Sequence, residues 1–154
     1  MYAITPRTMN SSRNRPLEPM KYFTVGEFTR SAVADRYGIP NRLPSMAESD
    51  NIHRLVINVL DPLREAYGKP IKVSSGYRCP RLNAIVGGSS TSDHMKGCAA
   101  DIQSIPNNPE ENRKLFNLIR ELHLPFDQLI DESGMKWVHV SHRTKGNRGQ
   151  VFSL

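Results

Sequence analysis

From Asp50 onward, Ile52, Leu55, Val56, Val59, Leu60 and Leu63 recur at three- and four-residue spacing. This predicts a long helix with one buried face. Pro62 lies inside the pattern and removes one backbone donor, so a kink or break is expected there; Gly68, with Pro70 beyond it, ends the element. Upstream, Thr24 followed by Glu27 has the form of a capping box and predicts a helix over about residues 25–37, ending at Gly38. Ile71 to Ser74 and Ala99 to Gln103 each read as a short strand. Asn108, Pro109, Glu110 and Glu111 form the cap and first turn of a third helix, which buries Leu115, Ile119 and Leu122 and stops before Pro125. Two strands at about 126–131 and 137–142 flank Ser133-Gly134-Met135-Lys136 and make a hairpin. Residues 79–98, with Pro80, Gly87, Gly88, a Ser-Ser-Thr-Ser run and Gly97, read as a long irregular segment. Such segments in a small domain commonly carry function.

This order of elements predicts an α+β fold: a small, mostly antiparallel sheet with helices packed against it. A length of 154 residues suits one domain. Residues 1–20, rich in Ser, Asn, Arg and Pro, read as a flexible basic arm, and 21–154 as the single folded unit. No apolar run spans a membrane and no hydrophobic block opens the chain. The expectation is therefore a protein without an integral membrane segment or secretory signal, cytoplasmic on synthesis, and a monomer. Two cysteines, Cys79 and Cys98, argue against a disulfide-built scaffold and a Cys-rich zinc site; buried thiols are the default, with a disulfide open if the protein works outside the cytoplasm. The net charge of +6 resides at two places: residues 1–21 carry four basic side chains against one acidic, and residues 143–148 carry three basic and none acidic. The body is balanced and no nucleic-acid motif accompanies the excess, so specific nucleic-acid binding is not expected.

Three residues stand out as chemistry: His94, Asp101 and His139. On a continuous helix the seven residues from His94 to Asp101 would rise about 10 Å, too far to share one ion. Lys96-Gly97 and Cys98-Ala99-Ala100 argue instead for a loop turning into a strand, from which both side chains can point to one place. In Trp137-Val138-His139-Val140-Ser141-His142, strand alternation puts His139 on the face opposite the two valines, free to line a cleft. An even turn centred on Gly134-Met135 pairs Glu132 with Trp137 and Ile130 with His139, making Glu132 the candidate base on the face of His139. An odd turn would give that position to Asp131. Two imidazoles and one carboxylate with a position left for water are the ligand set of catalytic zinc. Arg78 is placed to contact a substrate carboxylate or a developing oxyanion. Ser92 is read as orienting a ligand or donating to substrate, and Trp137 as packing or cleft wall. His53, His123 and His142 are read as structural, with His142 a support or substrate contact instead if the strand twists or bulges.

Together, Ser75-Gly76-Tyr77-Arg78, Asn83 with Gly87-Gly88, Ser92-Asp93-His94 through Asp101, and Trp137-Val138-His139-Val140-Ser141 resemble the zinc peptidoglycan peptidases. That family includes D-alanyl-D-alanine carboxypeptidases and phage L-alanyl-D-glutamate endopeptidases. Phe23 to Phe28 and Leu60-Asp61-Pro62-Leu63-Arg64 look like its small, single-domain branch. The resemblance implies a D-Ala-D-Ala peptidase or hedgehog-like fold, with Zn2+ held by His94, Asp101 and His139 on the open sheet face. It also implies that Arg78 orients substrate, with Tyr77, Ser92 and Trp137 as further contacts, and that an acid activates water. The implied partners are peptidoglycan stem peptides, and the missing signal fits either action at the cell wall after a phage-type release or a substrate met inside the cytoplasm. One departure stands out: several relatives carry the catalytic acid three residues before the last histidine ligand, and here that residue is Lys136. This leaves, as an alternative, a non-catalytic zinc-bearing module that binds cell wall.

Overall fold

The computed structural model describes residues 18–154. The expected basic arm lies outside the described residues up to position 17. Of its last three residues, Met20 packs against the core, and the Glu18 carbonyl accepts from His53 Nε2.

Helix α1 (Val25–Thr29) starts as the capping box predicts, with the Glu27 carboxylate accepting the Thr24 N–H at 2.6 Å. It stops well short of residue 37, because Ser31 caps a new helix, α2 (Ala32–Arg36), by accepting the Ala34 N–H at 3.1 Å. The long core helix is α3 (Met46–Leu55), a π-helical turn (Val56–Leu60) and α4 (Asp61–Tyr67) in direct succession. It begins before Asp50 because Ser45 serves as its cap. The expected break at Pro62 takes the form of this wider turn, in which the Asp61 N–H reaches back five residues to the Val56 carbonyl. The apolar stripe survives it, and Val56, Val59, Leu60 and Leu63 are all fully buried.

The sheet has the order β1-β2-β4-β3-β5, from β1 (Ile71–Ser75), β2 (Ala99–Ser104), β3 (Gln128–Glu132), β4 (Trp137–Ser141) and β5 (Gln150–Ser153). Among the described residues, only β3 and β5 run parallel. The expected mostly antiparallel α+β fold is therefore what forms. Residues 79–98 differ from expectation, for they contain α5 (Pro80–Ile85) and a 3₁₀ turn (Asp93–Lys96). Pro80 opens α5 as Pro109 opens α6 (Pro109–Glu121), and Leu82 is buried against Ala34 and Ile39. Strand β5 is a second unforeseen element. It is anchored through buried Asp127, whose carboxylate receives Arg148 at 2.8 Å and Arg143 at 3.1 Å. Part of the basic excess at 143–148 is thus internal counter-charge, and Arg148 holds the Asp127 carboxyl below its ordinary range.

One sheet face, with Ile102, Leu129, Val138 and Val140 all fully buried, joins the helical stripe and Leu115 and Ile119 of α6 in the core. Pleating sends Asp101, His139, Ile130 and Glu132 to the other face. Fully buried Asn112 on α6 fixes the β3–β4 turn to that core. Its Oδ1 accepts the Ser104 N–H at 2.8 Å, and its Nδ2 donates to Met135 O at 2.8 Å and Asn107 Oδ1 at 2.7 Å. Replacing Asn112 with the isosteric Leu strands these buried groups, and the expected loss is roughly 2–4 kcal/mol. Urea unfolding checks this, as a lower midpoint at unchanged slope.

Candidate active site

Asp101 and His139 are directly paired residues of β2 and β4, so their side chains rise on the same face. Asp101 Oδ1 lies 3.0 Å from His139 Nδ1 and 3.3 Å from His94 Nε2, and Asp101 Oδ2 lies 3.2 Å from Arg78 Nη2. His94 arrives from the 3₁₀ turn, where Ser92 Oγ accepts its backbone N–H at 3.2 Å. Gly97 closes that turn at φ +73°, and a Cβ there would sit 2.6 Å from the Glu48 carbonyl, so only glycine fits. Gly76 is required for a similar reason, since its Cβ would meet the Phe28 backbone at 2.6 Å.

A β-bulge between Val73 and Ser75 puts Val73 opposite Ile102 and Ser75 opposite Asp101. It turns the chain so that Ser75 Oγ receives Arg78 Nε at 2.9 Å. The peptide groups around Arg78 are gripped by Asn41, which donates to Tyr77 O at 2.8 Å and accepts the Cys79 N–H at 2.8 Å. The Arg78 N–H donates to His94 O at 3.1 Å, so Asn41 braces the arginine and the histidine turn together. Sequence reading did not find Asn41, Ser75 or Asn112 as supports. Their contacts span 36, 3 and up to 24 residues and have no periodic signature.

The ring nitrogens test whether a cation fits. His94 Nδ1 is 2.6 Å from the Gly76 carbonyl, which can only accept, so Nδ1 carries the proton. A neutral His94 then presents the Nε2 lone pair to a carboxylate oxygen, acceptor against acceptor. A metal ion reconciles these two groups, and the backbone carbonyl fixes the tautomer as supports of metal-ligating histidines do. One ligand atom from each of His94, Asp101 and His139 lies within 4.8 Å of the others. The donor set therefore fits zinc. Burial pushes the Asp101 carboxyl up, but the hydrogen bond with His139 leads the contacts that outweigh it and hold the group below its ordinary range.

The four-residue β3–β4 turn gives even parity: Glu132 pairs with Trp137 and Ile130 with His139. Glu132 thus stands on the face of Asp101 and His139, and burial first and the Asp101 charge second push its carboxyl above the usual range. Asp131 pairs with Val138 on the opposite face and accepts the Met135 N–H at 2.9 Å, which makes it a brace of the turn. Half-buried Trp137 lies beside Glu132. Tyr77 is not placed for substrate, because it is 3% exposed within the core cluster. Lys136 is exposed in the turn, its N–H donating to Glu132 O at 3.1 Å.

The remaining histidines stay apart from the site. His53 bonds the Glu18 carbonyl, His123 sits at positive φ after α6, and buried His142 lies 2.6 Å by Nδ1 from Pro125 O. Both cysteines are free thiols, and burial pushes Cys98 up to about 11. Among the described residues no helix is long and apolar enough to cross a membrane.

A family profile described as Peptidase M15 matches residues 21–141. No curated protein matches the sequence.

The purified chain should carry about one zinc per molecule, and His94→Ala or His139→Ala should reduce it to near zero with the fold retained, as read by elemental analysis and circular dichroism. A second expectation concerns His142, whose pKa is lowered by burial. Its stabilising share is complete above the unfolded value of about 6.5 and is lost as pH falls below it. His142→Asn keeps a donor for Pro125 without titrating, so its melting temperature should fall less than the parent's between about pH 7.5 and 5.

Proposed function

The chain belongs to the Peptidase M15 family of zinc metallopeptidases, and on that footing we propose that it hydrolyses peptide bonds in bacterial peptidoglycan stem peptides. The reaction is of the D-Ala-D-Ala carboxypeptidase or endopeptidase type. The observation that carries this reading is the convergence of His94, Asp101 and His139, with Glu132 on the sheet face that carries Asp101 and His139.

His94, Asp101 and His139 would hold the ion. When bound, zinc lowers the pKa of a water to about 7 and polarises a carbonyl. Glu132 is the general base: its carboxylate takes the proton of the attacking water and returns it to the leaving amine. Burial raises its pKa, which makes it a stronger proton acceptor than an exposed carboxylate. Arg78 is held by Ser75 and Asp101 along one edge and offers its other donors to the carbonyl oxygen or to a substrate carboxylate. Ser92 acts through the backbone of His94 as a positioning residue. Trp137 walls the cleft beside Glu132. The chain acts at the cell wall as one unit over residues 21–154.

Incubation with purified peptidoglycan and a stem pentapeptide, with products read by mass, should give chelator-sensitive cleavage restored by zinc. Release of terminal D-alanine marks the carboxypeptidase and an internal cut the endopeptidase. Glu132→Gln should retain zinc and lower kcat by about 10²–10⁴-fold. Bound zinc with no cleavage by the parent protein would instead identify a wall-binding module.

A further inference from the structure

The metal-ligand row does not end at His139. Across the sheet, Asp101 pairs with His139, His139 with Ile130, and Ile130 with Phe152 of β5, so these four side chains stand in one line on one face. Ile130 is 8% exposed, whereas Phe152 is 44% exposed. On one side of this line Gln128 and Gln150 are paired in register and joined Nε2 to Oε1 at 3.1 Å. On the other side stand Glu132 and Trp137. Val151 pairs with fully buried Leu129 and belongs to the opposite face.

Strand β5 is held at both ends. Gln150 N–H donates to Asp127 O at 2.9 Å, Leu154 N–H donates to Asp131 O at 2.8 Å, and the Ser133 N–H returns to Leu154 O at 2.8 Å. Phe152 is therefore a half-exposed aromatic ring on a fixed strand, continuous with the proposed catalytic face. It also lies beyond residues 21–141, the part of the chain that the family profile covers.

We propose that β5 adds a remote substrate subsite in which Phe152 is a specificity-determining residue. Two strand spacings put Phe152 about 10 Å from His139, and an extended peptide advances about 3.3 Å per residue. The ring then meets the substrate about three residues from the scissile bond, packing against an aliphatic stretch. The Gln128–Gln150 amides face the peptide backbone there. The subsite rests on the stem-peptide reading above and selects stems long enough to reach β5 over a free dipeptide.

The test uses the full chain loaded with zinc and carrying Glu132→Gln, titrated calorimetrically with the stem pentapeptide and with D-Ala-D-Ala. Phe152→Ser should weaken the pentapeptide about tenfold relative to the dipeptide. Phe152→Leu should recover part of that loss, and Val151→Ser on the opposite face should cause none. An unchanged pentapeptide affinity in Phe152→Ser, an equal loss in Val151→Ser, or no pentapeptide binding would each overturn the subsite. Hydrolysis by the parent protein is scored separately. Cleavage with Phe152-independent affinity removes the subsite alone, while Phe152-dependent binding without cleavage removes the hydrolytic reading and keeps the subsite.

Discussion

Asp101 is a carboxylate 6% exposed in the middle of a sheet, and such a group is tolerated only where opposite charge and hydrogen bonds surround it. Its two oxygens are shared among His94, His139 and Arg78, which reach it from a 3₁₀ turn, a neighbouring strand and the turn after β1. Each approach has a dedicated local device. The β2–β4 register supplies His139, the Val73–Ser75 bulge aims Ser75 and the arginine turn, and Gly76 and Gly97 permit backbone contacts too close for any side chain.

The alternation of the sheet separates stability from chemistry. Val138 and Val140 enter the core while His139 between them faces outward, and Ile102 and Asp101 divide in the same way. The site is therefore built on strands whose other face is locked by the helical stripe. The hairpin carrying Glu132 has left-handed residues at Ser133, Gly134 and Met135, which Asn112 and Asp131 hold through the Met135 carbonyl and N–H. A side chain placed by parity alone, as Glu132 is, would follow any slip of register, and these bonds pin the register.

What could be read from the sequence was what has a period or a local cap. The valine alternation placed His139 outward and narrowed its neighbour to Glu132 or Asp131, which the four-residue turn resolves to Glu132, and Asn108 with Pro109 located α6. What escaped was set either by a single local group without a periodic signature or by contacts far apart in the chain. Ser31 splitting one expected helix into two depends on a single local hydroxyl, and α5 was masked by its Pro80 and Gly-rich surroundings. Strand β5 is only four residues long and takes its identity from pairing with β3, which no local pattern announces. Tyr77 sits in a motif beside Arg78, but its ring turns into the core because its backbone is bonded to Phe28 and Asn41.

X-ray absorption at the zinc edge of the purified chain would reveal a zinc centre of two imidazoles and one carboxylate. Nitrogen and oxygen neighbours at about 2.0–2.2 Å are expected, with imidazole scattering and no sulfur. A sulfur shell at about 2.3 Å, which would bring in Cys79 or Cys98, or no zinc at all, would contradict this ligand set.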